Sequence, residues 1–163
     1  MLITTSRKPS QRTRSFCKSL VRVLNSSYTN RGKMSLRDVL IKSSEMGYDK
    51  TAVISQMKAN PSRIDFHQED GELILSLDIT VGLDNNSGSK SRVKLKDLKF
   101  YSELNELEGL RDILNIPSLT KGSEFKNLML LKASEEPNTS KIEFYADDGS
   151  LTGPKIFIQG WRQ

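Results

Sequence analysis

Residues 62–73 read SRIDFHQEDGEL, and residues 140–151 read SKIEFYADDGSL. The offset is 78, six of the twelve positions are identical, and three more conserve charge. In both copies apolar residues (Ile64 and Phe66, Ile142 and Phe144) alternate with polar ones, the period of a half-buried strand. Both then reach an Asp-Gly pair that suits a tight hairpin turn. Upstream, LRDVL at 36–40 matches LRDIL at 110–114 at an offset of 74. Two blocks recurring in the same order at nearly the same offset predict an α/β chain of two pseudo-repeated halves.

The other elements follow outward from these blocks. Residues 2–5 form a short apolar run that stops at a turn, so they read as a buried strand. Pro9-Ser10 opens a helix with Ser10 as its N-cap. In that helix Phe16, Cys17, Leu20, Val23 and Leu24 share one face. A second short strand is expected at 27–29. Ser35 and Asp38 suit a capping box opening a helix that packs Leu36, Val39 and Leu40 and ends near Gly47. Strands are predicted at 51–57, 63–68 and 73–81, with a turn at Asn60-Pro61-Ser62. Residues 82–91, GLDNNSGSKS, are the low-complexity piece and the expected flexible boundary between an N-terminal half, 1–81, and a C-terminal half, 92–163. The second half is predicted to hold a strand at 93–95, a helix from about 99 to 115 ended by Pro117, and strands at 125–132, 140–146 and 155–159.

Charge is unevenly spread. The 163 residues carry a net +5, yet residues 1–45 alone carry +8 and the remainder −3. Nine basic residues precede the first acidic one, Asp38. Such a one-sided front points to a polyanionic partner. The chain is long enough for one domain that buries roughly 70% of the surface its unfolded form exposes. A single cysteine, Cys17, excludes an internal disulfide and points to a reducing compartment. No apolar run approaches the ~18 residues a membrane span needs. The N-terminus opens on a strand-like Leu2-Ile3 without a secretory apolar region. A soluble, cytoplasmic protein with no membrane partner is expected.

The basic residues have a geometry. Arg14, Lys18 and Arg22 recur every fourth position, opposite the packing face of the first helix. If the first two strands are parallel neighbours, loops 6–10 and 30–33 emerge together at their carboxyl ends, where open α/β sheets bind ligands. A helix starting near Ser10 offers N–H groups to a phosphate. Arg7, Arg12 and Arg31 add planar, forked donors suited to phosphate oxygens. Contacts of this kind position RNA without reading its bases. With five to seven phosphates engaged, log affinity falls with log salt at a slope of roughly −3.5 to −6. Tyr28 and Tyr48 are packing residues or stacking platforms for bases. The matching region of the second half carries Glu103, Glu106 and Glu108 instead, so a shared scaffold does not need the basic loops. Those glutamates also admit a rival reading: a protein-interaction module that docks a protein partner through its acidic C-terminal half.

Catalytic signals are missing. His67 falls in a hairpin strand at the position Tyr145 holds in the repeat, and Cys17 lies on a packing face without a partner histidine motif. Asp147-Asp148 reads as a turn. No metal-ligand spacing, phosphate-cradling glycine loop or nucleophile elbow is present. No enzyme, no cofactor, no metal and no small-molecule substrate are expected.

ITTSRKPSQRTRSF at 3–16, followed by Asn30-Arg31-Gly32, resembles the signature of the Brix domain family, whose first part is known as a sigma-factor-like motif. The resemblance is strong over the first 40 residues and weak over the remainder. It implies two similar α/β halves resembling the anticodon-binding domains of class IIa synthetases. It also implies a role in ribosome biogenesis through binding of precursor ribosomal RNA, as an RNA chaperone. The chain is similar to the compact archaeal members, near the small-subunit-processome branch. Carried onto this sequence, the family's RNA-binding motif falls on Ser6, Arg7, Lys8, Ser10, Arg12, Arg31 and Gly32. The basic residues Arg14, Lys18, Arg22 and Lys33 extend it.

Overall fold

A computed structural model describes residues 1–82, 91–120 and 122–163. The predicted low-complexity boundary lies, but for its two end residues, outside the described residues. In chain order the elements are β1 (Leu2–Thr5), α1 (Gln11–Val23), β2 (Ser27–Tyr28), α2 (Leu36–Glu45), β3 (Lys50–Met57), β4 (Asn60–Gln68) and β5 (Leu73–Gly82). The second half supplies β6 (Lys99–Ser102), α3 (Leu110–Leu114), β7 (Leu128–Ala133), β8 (Ser140–Tyr145) and β9 (Leu151–Arg162).

The strands make one mixed sheet in the order β2-β1-β3-β4-β5-β9-β8-β7-β6. Pairing is the same in both halves. β1 lies parallel to β3, which continues antiparallel through β4 to β5. β6 lies parallel to β7, which continues antiparallel through β8 to β9. β5 and β9 then join antiparallel at the centre. These senses gather the carboxyl ends of β1, β2, β3, β5 and β8 and the amino ends of β4, β6, β7 and β9 along one edge of the sheet, called the upper edge below.

α1 forms where the sequence predicts it. Ser10 is its N-cap, and Phe16, Cys17, Leu20 and Val23 are buried. They meet Ile3, Ile54, Phe66, Leu77, Met129, Phe144 and Ile156 from the strands of both halves in one apolar core. Fully burying side chains of this kind contributes about 1.5–3 kcal/mol each. Ser35 and Asp38 close the capping box of α2, whose Val39 and Leu40 are buried outside that cluster. The two Asp-Gly hairpins join β4 to β5 and β8 to β9, with Gly71 and Gly149 at φ 94° and 83°.

Several expectations are corrected. Residues 99–115 are not one helix: 99–102 form β6, a 3-10 turn covers Asn105–Leu107, and α3 has five residues. Phe100 pairs in register with Met129, and Asn115 ends α3 at φ 55°. The apolar spacing is thus shared between a strand and a short helix. No strand forms at 93–95; a 3-10 turn occupies Leu95–Asp97, and Asn127 Oδ1 takes the Lys94 amide. The turn before β4 is Lys58-Ala59, both at positive φ, while Pro61 lies within the strand beside a register shift, where its missing N–H is tolerated. Phe125 precedes β7 and is half exposed.

The repeated LRD blocks occupy different places. α2 follows β2, whereas α3 lies between β6 and Ser118, which bridges Phe100 in parallel. That bridge stands to β6 as β2 stands to β1. So α3 takes the topological place of α1, and only the hairpin blocks occupy matching positions.

Candidate nucleic-acid interface

β1 and β2 are parallel neighbours, Leu2 opposite Ser27 and Ile3 opposite Tyr28. The loops that follow them therefore leave the sheet side by side. Together with α1 they wall a cleft of about 260 Å³ lined by Lys8, Pro9, Arg14, Asn30, Arg31 and Gly32.

Each wall has a local cause. The Ser6 amide donates to the Ile54 carbonyl at 2.8 Å, continuing the β1–β3 ladder one residue past the strand. Lys8 then turns the chain at φ 54°, and Pro9 presets the entry to α1. Thr4 Oγ1 donates to the Thr29 carbonyl at 2.9 Å, tying the second loop to the first strand. Gly32 sits at φ 54° with nothing near the place a Cβ would occupy, so the cleft mouth stays open.

Arg31 is half-buried and held by the backbone. Its Nε donates to the Met34 carbonyl at 2.8 Å, and Nη1 lies 3.5 Å from the Thr5 carbonyl. Burial lowers its pKa below the ordinary arginine value, and the nearby Arg7 lowers it further. Asp38 opposes this, but its carboxylate is engaged by the Ser35 amide and hydroxyl. No ion pair involves Lys8, Arg14 or Arg31 among the described residues. Like charges held together without a counter-ion favour an anion between them.

The other predicted residues do not all gather here. Ser10 is spent on structure: its Oγ accepts the Thr13 amide at 3.1 Å and donates to the Ala59 carbonyl at 2.7 Å. The Arg14 amide goes to the Ser10 carbonyl, so the amides of Gln11 and Arg12 are those left at the helix start. Arg12 turns away, its Nη2 3.4 Å from the Val81 carbonyl at the end of β5. Lys18, Arg22 and Lys33 are exposed, and Arg22 lines a different cavity. Tyr28 donates its hydroxyl to Asn30 Oδ1, and the Tyr48 hydroxyl meets Ser27 Oγ. Gln56 went unpredicted: its side chain clamps the start of α1 from β3, and no local pattern marks it.

The residues considered for catalysis sit as packing and turn residues. Burial pushes the Cys17 thiol up to about 12. His67 Nδ1 lies 3.2 Å from the Gly71 carbonyl within its own hairpin. Among the described residues no three His, Cys, Asp or Glu side chains gather into a set that could hold a metal ion. No helix among them is long and apolar enough to cross a membrane.

Known proteins are similar to this chain in sequence and in fold. A protein of Archaeoglobus fulgidus, described as a "probable Brix domain-containing ribosomal biogenesis protein", is 30% identical over 141 residues, covering 82% of this chain and 84% of that one. This chain belongs to the Brix domain family. Other Brix relatives match over shorter stretches. One from Methanothermobacter thermautotrophicus is 56% identical over 71 residues, 44% of this chain and 43% of that protein. One from Methanococcus maripaludis is 36% identical over 91 residues, 56% and 52% of the two. The chain thus spans about half the length of these two relatives. The crystal structure of an archaeal Imp4-like protein superimposes with a TM-score of 0.80 at 33% identity, over 99% of both chains. A "probable ribosomal biogenesis protein" from Aeropyrum pernix shares the fold at a TM-score of 0.73 and 19% identity. No family model matches the chain. The large mixed sheet with few helices is therefore a fold found in Imp4-like Brix structures.

Proposed function

We propose that this Brix protein is a non-catalytic ribosome biogenesis factor of the cytoplasm that binds precursor ribosomal RNA and assists its folding, an RNA chaperone. The observation that carries the reading is the cleft between the β1 and β2 loops, where Lys8, Arg14 and Arg31 stand together without a paired carboxylate among the described residues. Its chemistry suits phosphodiester oxygens, and a backbone-held Arg31 offers its remaining donors in a fixed direction. In this reading the two halves, 1–81 and 92–163, resemble class IIa anticodon-binding domains, and the chain sits near the small-subunit-processome branch.

Anisotropy with a structured precursor-rRNA fragment over a salt series tests it. Wild type is expected to show a slope of roughly −3.5 to −6, and a Lys8→Ala/Arg14→Ala/Arg31→Ala variant a slope shallower by about two. A flat slope, or binding indifferent to the three substitutions in a folded variant, refutes it.

A second reading is docking of a ribosome-assembly protein through Glu103, Glu106 and Glu108. All three are exposed, and none forms an ion pair among the described residues. The half that carries them is balanced, however, with 11 basic and 11 acidic residues over 92–163. Protein partners recovered after full nuclease digestion, and lost on changing the three glutamates to glutamine, would favour docking.

A further inference from the structure

The second half also carries cations, and the fold brings one of them against α1. A second cavity, about 550 Å³, opens between the last turn of α1, residues 91–95 and the start of β9. Ser19, Arg22, Arg92, Val93, Thr152 and Gly153 line it. Arg22 comes from the first half and Arg92 from the second.

Both arginines are exposed, and among the described residues no ion pair or side-chain hydrogen bond engages either. Among the described residues, the two carboxylates of the neighbouring β8–β9 turn have partners of their own. Asp147 pairs with Lys94 at 3.0 Å. Asp148 accepts from the hydroxyls of Ser91 and Ser150. The Asp147 amide donates to the Arg92 carbonyl at 3.2 Å and so anchors the backbone that presents Arg92. Gly153 supplies the facing wall without a side chain. Its φ is 69°, and a Cβ there would lie 2.7 Å from Val23 Cγ1, so β9 passes close against α1.

A single helix face links the two cavities. Arg14 lines the first and Arg22 the second. Eight residues separate them, about 12 Å along the helix axis, with exposed Lys18 between.

Resting on the RNA-binding reading above, we propose that Arg22 and Arg92 form a second phosphate-binding cleft, built from both halves, which takes a further backbone phosphate of the RNA strand held at Arg14 and Arg31. The RNA then runs down α1 from the first half onto the second, and neither half alone presents the whole path.

Binding of a 12-nucleotide oligouridylate, measured by anisotropy over a salt series, tests the proposal. Arg92→Ala is expected to weaken binding about tenfold and to flatten the salt slope by about 0.7, the share of one phosphate on a single strand. Arg92→Lys should keep the slope. Arg162→Ala, at the far end of β9, should change neither. Unchanged affinity and slope in Arg92→Ala, beside a loss in Lys8→Ala/Arg14→Ala, overturn the second cleft and leave the RNA-binding reading standing. Wild type that binds the oligonucleotide without salt dependence overturns both. Circular dichroism of each variant checks folding, and Arg22→Ala repeats the measurement from the opposite wall.

Discussion

Gln56 holds Ser10: its side-chain carbonyl accepts the Ser10 amide at 2.7 Å and the Thr13 hydroxyl at 2.8 Å. A residue of β3 thereby completes the N-terminus of α1 and fixes the loop that walls the cleft. Gln56→Leu leaves the Ser10 amide unpaired in a part-buried place and the Thr13 hydroxyl with Ser10 Oγ at 3.0 Å, and is expected to cost about 1–3 kcal/mol. Ser10→Ala, which removes the cap itself, should cost about 1 kcal/mol. Urea unfolding of the single and double variants checks this. Simple additivity of the two losses would show that Gln56 and Ser10 do not act as one unit.

Gly153 has no room for a side chain. Its backbone is left-handed, and an added Cβ would meet Val23 Cγ1 at 2.7 Å. Gly153→Ala should destabilise the fold by about 1–3 kcal/mol. Combining it with Val23→Ala should cost less than the two changes separately, because the shortened side chain removes the overlap. Equal or greater loss in the double variant would place the whole penalty in the backbone.

Cys17 should be inert in the folded protein. It is buried in the core, and desolvation raises its pKa to about 12, so at neutral pH the thiolate is scarce. A thiol-reactive chromogenic disulfide is expected to label it only at the rate of unfolding, and quickly in denaturant. Prompt labelling of native protein would contradict the packing described for α1.

Acid should weaken the fold through identifiable carboxylates. Burial acts to raise the pKa of Glu143, but hydrogen bonds from Lys132 and Tyr145 outweigh it, so its pKa lies below the usual value. Asp148 is lowered to about 2 by the hydroxyl of Ser150, then that of Ser91, and the Ser150 amide. A carboxyl with a lower pKa folded than unfolded contributes stability above its unfolded value and loses it as pH falls through the folded one. The urea midpoint should hold steady above about pH 5 and decline from about 4.5 toward 2. Glu143→Gln should start lower at pH 7 and decline less. An unchanged profile in that variant would assign the acid sensitivity elsewhere.

The basic front of the sequence becomes, in the structure, a polarity between sheet edges. The loops after β1 and β2 and the Lys58 turn lie on the upper edge. So do the segment before β6, with Arg92, Lys94, Lys96 and Lys99 beside Asp97, and the β8–β9 turn, whose Asp147 pairs with Lys94 and whose Asp148 follows it. The opposite edge takes Glu69, Asp70 and Glu72 between β4 and β5, Glu103 after β6, and Glu135 and Glu136 between β7 and β8. Counting charge along the chain divides first half from second. Strand direction instead divides one end of every strand from the other, and so brings second-half cations to the same edge.

The sequence alone determined what depends on neighbours a few residues apart. Ser10 and Ser35 cap their helices, α1 buries Phe16, Cys17, Leu20 and Val23, and Asp-Gly pairs turn both hairpins, because capping and periodicity act within one or two turns of chain. Tertiary structure decided what depends on partners far away in sequence. Phe100 is in a strand because Met129 lies beside it. Arg12 leaves the cleft that Arg14 enters because two positions on a helix lie about 200° apart and β5 ends on Arg12's side. Gln56 meets Ser10, and Arg92 meets the cavity of Arg22, only once β3 and β9 have paired into the sheet. These contacts join residues 29 to 70 positions apart, a separation at which no local pattern predicts which side chains will meet.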